Sequence, residues 1–195
     1  MVSIRGLVLV VAIAVMGVAA IATAGCTRGG SDLQWLGFPA VAGQIVPNGS
    51  VLSYKFPPVC TTGDPVRILD IQPSEPNAGV KVVYWAIQPN EFQIPQPNND
   101  SIIGDLVGER FPVVPGQVTA PNAEVSGHCP PEPTAAPKDI LSEVLITMDR
   151  TVNKSVATKG FIIRYSTGSE TKELFMPYGM ELCLPNDDAL GCGGA

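Results

Sequence analysis

The sequence predicts an all-β fold, an immunoglobulin-like sandwich of about seven to nine short strands joined by long Pro-rich loops. Three observations carry that expectation. Short runs of β-branched and aromatic residues alternate with polar ones, as at Phe161-Ile-Ile-Arg-Tyr-Ser166. Turn formers are abundant, with 20 glycines and 19 prolines. Beyond the first 25 residues hardly any stretch repeats its apolar positions at helical spacing.

Taken in order, Val51-Leu-Ser-Tyr-Lys-Phe56 reads as a strand stopped by Pro57-Pro58. Val66 to Ile71 is a second, between Pro65 and Pro73. Gly79-Val-Lys-Val-Val-Tyr-Trp-Ala-Ile87 is the strongest strand. Its alternation places Val80, Val82, Tyr84 and Ala86 on one face, with Val83, Trp85 and Ile87 on the other. Apolar side chains on both faces point to a central strand. Residues 89–100, rich in Pro, Asn and Gln, are a loop. Residues 102–107 and 111–114 are weaker strands. Residues 112–137 hold seven prolines and form a long excursion, unusual inside a compact domain. Val144, Ile146 and Met148 alternate as a strand. Phe161, Ile163 and Tyr165 give the next, and Ser166-Thr-Gly-Ser169 turns the chain into 171–176. Met180, Leu182 and Leu184 form the last strand, with Cys183 on its other face.

The N-terminus stands apart. From Leu7 to Ala24 there is no charge, and the only polar side chain is Thr23. One basic residue, Arg5, precedes the run and small residues follow it, the layout of a secretory signal. Its length is also near the minimum for a bilayer-spanning helix, at about 1.5 Å per residue. Thr23-Ala24-Gly25-Cys26 closes it. Ala24-Gly25-Cys26 resembles the lipobox of bacterial lipoproteins, in which small residues precede an obligatory cysteine. The resemblance implies diacylglyceryl attachment at the Cys26 sulfur and cleavage before Cys26. Thr23 departs from the pattern, where Leu is usual. The domains expected are then a signal or anchor helix over 1–25, a lipidated Cys26 with a tether over 26–43, and the sandwich over 44–195. Trp35, Leu36 and Phe38 are too apolar for a pure linker, so they belong on the domain surface or at its edge.

Five cysteines is an odd count. Assigning Cys26 to lipid leaves Cys60, Cys129, Cys183 and Cys192, which oxidise in pairs outside the cytoplasm. The pairing favoured is Cys183 with Cys192, across a turn-forming loop, and Cys60 with Cys129. Loop entropy gives these bridges roughly 3 and 4 kcal/mol. A Cys60–Cys129 bridge would also pin the Pro-rich excursion. The net charge is −6, and loss of residues 1–25 removes Arg5 and no acid, moving it to −7. That balance excludes a nucleic-acid partner, which requires clustered Lys and Arg. It also leaves membrane affinity to the lipid rather than to charge.

No catalytic residue is assigned. The sole histidine, His128, lies beside Cys129 in the Pro-rich stretch, and there is no nucleophile elbow and no phosphate loop. Asp187-Asp188 and the acids around Glu170–Glu173 lack the spaced oxygens of a calcium loop. Copper is the alternative chemistry, through His128, Cys129, Met148, Met176 and Met180 as soft or borderline ligands. No metal or cofactor is assigned. The expectation is a non-catalytic binding or adaptor module, lipid-anchored on the outer face of the bacterial plasma membrane. It would engage an envelope protein or cell-wall ligand through the Pro-rich loops or aromatics such as Trp35 and Trp85.

Overall fold

The computed structural model describes residues 32–89, 105–110, 116–131, 141–185 and 187. Among them there are strands and no helix. The expected signal or anchor helix at Leu7–Ala24 lies outside the described residues, as do Cys26, Cys192 and residues 111–114.

The strands are β1 Leu33–Trp35, β2 Ala40–Ile45, β3 Leu52–Thr61, β4 Val66–Pro73, β5 Val80–Pro89 and β6 Asp105–Val107. They continue with β7 Glu124–Val125, β8 Ser142–Arg150, β9 Val156–Thr158, β10 Phe161–Thr167, β11 Glu170–Met176 and β12 Tyr178–Cys183. Three sheets result. One has the order β1-β3-β8-β5, with β6 also pairing with β3; the second is β11-β10-β4-β7; the third is β2-β12-β9. Every pairing is antiparallel except β2 with β12.

The sheets meet over an aromatic cluster. Phe56 of β3 stands edge-on to Phe161 of β10 at 5.2 Å and to Tyr178 of β12 at 5.4 Å. The hydroxyls of Tyr54 and Tyr178 hydrogen-bond at 2.6 Å, so one ring from the first sheet is latched to one from the third. Edge-on pairs add about 0.5–1.5 kcal/mol each beyond the area they bury. Around them Leu52, Ile68, Ile71, Val144, Ile146, Met148, Ile163, Met180 and Leu182 are buried.

Four expectations need correction. The folded unit does not begin at residue 44. Leu33 is fully buried and pairs with Thr61, and Ala40–Ile45 pairs along its length with β12, so 33–45 belongs to the sheets. The strand begun at Leu52 does not stop at Pro57-Pro58. Its ladder to β8 shifts between Phe56 and Val59, and that irregularity accommodates two residues without an N–H. β5 is not central, because β8 lies inside it; apart from an Ile87–Val118 bridge, its outer side carries no strand among the described residues. Its faces also differ from strict alternation. The ladder shifts between Val82 and Tyr84, so Val82 shares a side with Trp85 and Ile87, while Tyr84, Ala86 and Gln88 share the other. By contrast, Phe161, Ile163 and Tyr165 are buried as their alternation requires, and the turn into β11 uses Gly168 at a φ of 56°.

Candidate functional site

Cys60 and Cys129 form a disulfide, with Cα atoms 4.9 Å apart. Cys60 is buried at the end of β3, and the chain around Cys129 runs beside it. The Thr61 N–H donates to the Gly127 carbonyl, and the Cys129 N–H donates to the Thr61 carbonyl, both at 2.8 Å. The bridge therefore closes a segment already held by backbone bonds. It ties β3 of the first sheet to the chain leaving β7 of the second. Cys183 is also disulfide-bonded. Cys192, its expected partner, is outside the described residues.

The copper candidates are placed apart. His128 is exposed on the segment beside Thr61, whereas Met148, Met176 and Met180 are fully buried in the core. Among the described residues no group of three His, Cys, Asp or Glu side chains converges. The acids at the β10–β11 hairpin serve ion pairs: Glu170 lies 3.4 Å from Lys172, and Glu173 lies 3.8 Å from Arg164. Asp187 accepts from the Ser155 N–H at 3.1 Å, while Asp188 lies outside the described residues.

On one face of the first sheet lies a polar layer that sequence reasoning missed. Glu143 is 3 % exposed. Its Oε2 takes Lys55 Nζ at 3.4 Å and accepts from Gln88 Nε2 at 3.1 Å. Alongside, Ser53 Oγ and Thr147 Oγ1 share a hydrogen bond at 2.8 Å, and Ser53 Oγ donates to the Glu109 carbonyl. A buried carboxylate with both partners in place is satisfied, and losing Lys55 would leave it exposed to the full desolvation penalty. The three contributors come from β3, β5 and β8, so no local pattern announces them.

Trp85 is half-buried against the core rather than freely exposed. With Tyr84, Asp70 and Thr119 it lines an open cleft of about 330 Å³ between β4 and β5. Gln117 Nε2 donates to the Tyr84 hydroxyl at 3.1 Å, and the Arg110 guanidinium sits 5.2 Å from the Tyr84 ring centre. Trp35 is half-buried, edge-on to Tyr178, with its ring packed over Gly37.

The largest exposed apolar side chains sit elsewhere. Phe38 is 84 % exposed, Val41 67 % and Ile45 53 %. They follow one another along the entry to β2 and along its outer face. From Leu33 to Tyr54 the chain carries no charged residue. Among the described residues β2 is the outermost strand of its sheet, so this apolar face adjoins a strand edge that no described strand pairs. A strand edge of this kind offers backbone N–H and C=O groups to which an extended segment can add.

No protein-family model, curated protein or solved structure matches this chain.

Proposed function

We propose that this chain is a lipid-anchored extracytoplasmic module of the bacterial envelope, non-catalytic, that works by presenting a protein-binding surface. The observation that carries the reading is Ala24-Gly25-Cys26 at the end of an uncharged run. The oxidised state of Cys60, Cys129 and Cys183 supports it, since disulfides persist where thiols are not kept reduced. Cys183 pairs with Cys192 in this reading, and Cys26 is left for lipid. Two or more acyl chains then anchor the protein stably, where one would not.

The fold in this reading is a β-sandwich of immunoglobulin-like type. Support comes from the five- and four-stranded sheets packing through Phe56 and Phe161, and from a disulfide that ties the two together. The binding surface is the exposed apolar strip at Phe38, Val41 and Ile45 rather than the Pro-rich loops or Trp85. Only residues 27–31 separate Cys26 from Asp32, the first described residue of the sheets' domain. At about 3.3–3.6 Å per residue such a tether reaches at most roughly 20 Å, which keeps the domain close to the bilayer.

An intact mass of the membrane-extracted protein under non-reducing conditions tests this. The expected chain starts at Cys26, carries added lipid mass and lacks four hydrogens, and Cys26→Ala releases it from the membrane fraction or leaves it unprocessed. Retention of Met1–Gly25 with an unmodified Cys26 would contradict the reading.

A further inference from the structure

We propose that β2 is the seam of a twofold homodimer, in which two copies pair antiparallel through Val41, Gly43 and Ile45 with Gly43 on the axis. The inference rests on the proposed binding surface, naming a second copy of the chain as the protein that it binds, and it does not depend on lipidation. It begins with the direction of the backbone. β2 runs parallel to β12, with Ala40 opposite Tyr178 and Ile45 opposite Cys183. The Ala40 N–H donates to the Pro177 carbonyl and the Val46 N–H to the Cys183 carbonyl. Only alternate residues of a strand bond to a given neighbour. The even positions are therefore engaged with β12, and Val41, Gly43 and Ile45 direct their N–H and C=O groups to the open side.

The sequence around those residues is symmetric about Gly43. Pro39-Ala-Val-Ala-Gly-Gln-Ile-Val-Pro47 places Val41 and Ile45 two positions either side and Pro39 and Pro47 four positions either side. In an antiparallel pair centred on Gly43, Val41 of one copy faces Ile45 of the other. Each end of the seam then sets Pro39 opposite Pro47. Both prolines occupy odd positions, where an N–H would point to the open side and Pro has none. The ladder is thus confined to the three odd residues between them, and shifted registers lose bonds. Cross-strand pairs of β-branched residues stabilise such a ladder, and Gly43 adds no side chain of its own at the axis.

The near-symmetry about Gly43 selects a second copy as the occupant, and the charge distribution permits it. A net charge of −6 opposes self-association over most of the surface, and the uncharged stretch from Leu33 to Tyr54 contains the seam. The other described edges are unsuited. β1, β6 and β9 have three residues and β7 has two. β5 is bridged at Ile87 by Val118, and β11 carries three charged residues. A bare, apolar, six-residue edge is the kind that proteins otherwise blunt. One charge approaches the seam: the Glu181 carboxylate lies 3.3 Å from where a Gly43 side chain would begin. Two copies bring two such carboxylates toward the axis.

The test is sedimentation equilibrium of the full-length chain in density-matched non-ionic detergent. The wild type is expected at twice the protomer mass, halving on dilution. A Val41→Lys/Ile45→Lys variant and a Val41→Glu/Ile45→Glu variant each place like charges opposite one another and should run as monomers. Mixed in equal amounts they should recover the dimer mass, because Lys then faces Glu, and that recovery also shows both remain folded. Glu181→Gln, which leaves β2 intact, should tighten the wild-type dimer by roughly two- to fivefold, the size of an exposed charge pair. A monomeric wild type overturns the proposal, including one that instead binds zwitterionic vesicles through this strip. So do charge variants that keep the wild-type mass, a mixture that stays monomeric, or a Glu181→Gln dimer no tighter than wild type.

Discussion

β2 and β11 are both long outer strands, and their free sides differ chiefly in charge. β11 carries Glu170, Lys172 and Glu173 in seven residues. Those charges are partnered: Lys172 Nζ meets Asp32 at 2.8 Å and Glu170 at 3.4 Å, and Arg164 approaches Glu173. A strand arriving beside β11 would meet both signs of charge, already paired and hydrated. β2, with six residues, carries none and is bracketed by prolines. One edge is guarded against pairing, whereas the other is delimited for it. Unguarded edges are a liability that natural chains ordinarily remove, and the proposed β2 seam would account for the contrast within one molecule.

The largest effect on this comparison comes from the part both edges share. Phe56 is fully buried and touches Phe161, beside β11, and Tyr178, beside β2. Phe56→Ala should lower unfolding stability by about 3–5 kcal/mol, read as a lower urea midpoint. Both edges should loosen together, and loss confined to one would mean that the sheets are not braced by a common cluster.

A second change erases the difference itself. Glu170→Thr, Lys172→Thr and Glu173→Val together make β11 as bare as β2. Concentration-dependent growth in apparent mass, about twofold or more by light scattering, is expected even when β2 carries Val41→Glu and Ile45→Glu. A triple variant that stays monomeric in that background would show that charge is not what keeps β11 free.

The smallest effect is acid sensitivity, and each region has its own acid. At β9, the far edge of the sheet that holds β2, Glu75 is held below the ordinary carboxylate range, chiefly by the Lys159 backbone N–H at 2.9 Å and then by Ser74 and Thr158. Beside β11, Asp32 is lowered mainly by its hydrogen bond from Lys172, and Lys172 is raised mainly by the same bond. A lowered carboxylate contributes stability above its unfolded value and loses it as pH falls through the folded one. Melting temperature should therefore drop below about pH 4. The raised Lys172 keeps its contribution below about pH 10.4 and loses it as pH rises further. Glu75→Gln and Asp32→Asn should each flatten part of the acid limb; an unchanged limb in the double variant would remove both from the account.

These contrasts also explain which parts were legible in the sequence. β10 could be read because it buries one face and its alternation survives intact; β4 was read as a strand between its prolines, although a bulge around Leu69 moves its buried side from Ile68 to Ile71. β5 was recognised, but its faces were not, since a bulge at Val83 shifts every later side chain to the opposite side. Residues 40–43 of β2 were read as tether because Ala and Gly give no alternation and its partner, β12, lies far along the chain and parallel to it. Cys60–Cys129 was reachable through parity and the long excursion it closes. The Lys55–Glu143–Gln88 layer and the open β2 edge were not, because burial of a charge and outermost position in a sheet belong to the assembled fold, not to local spacing.

The most direct test of an open β2 and a guarded β11 is backbone amide exchange across a dilution series of the full-length protein in detergent. Exchange at Val41, Gly43 and Ile45 should slow as concentration rises, while the free side of β11 stays unchanged. Concentration-independent exchange at those three amides, or protection that builds at β11 instead, would contradict the account.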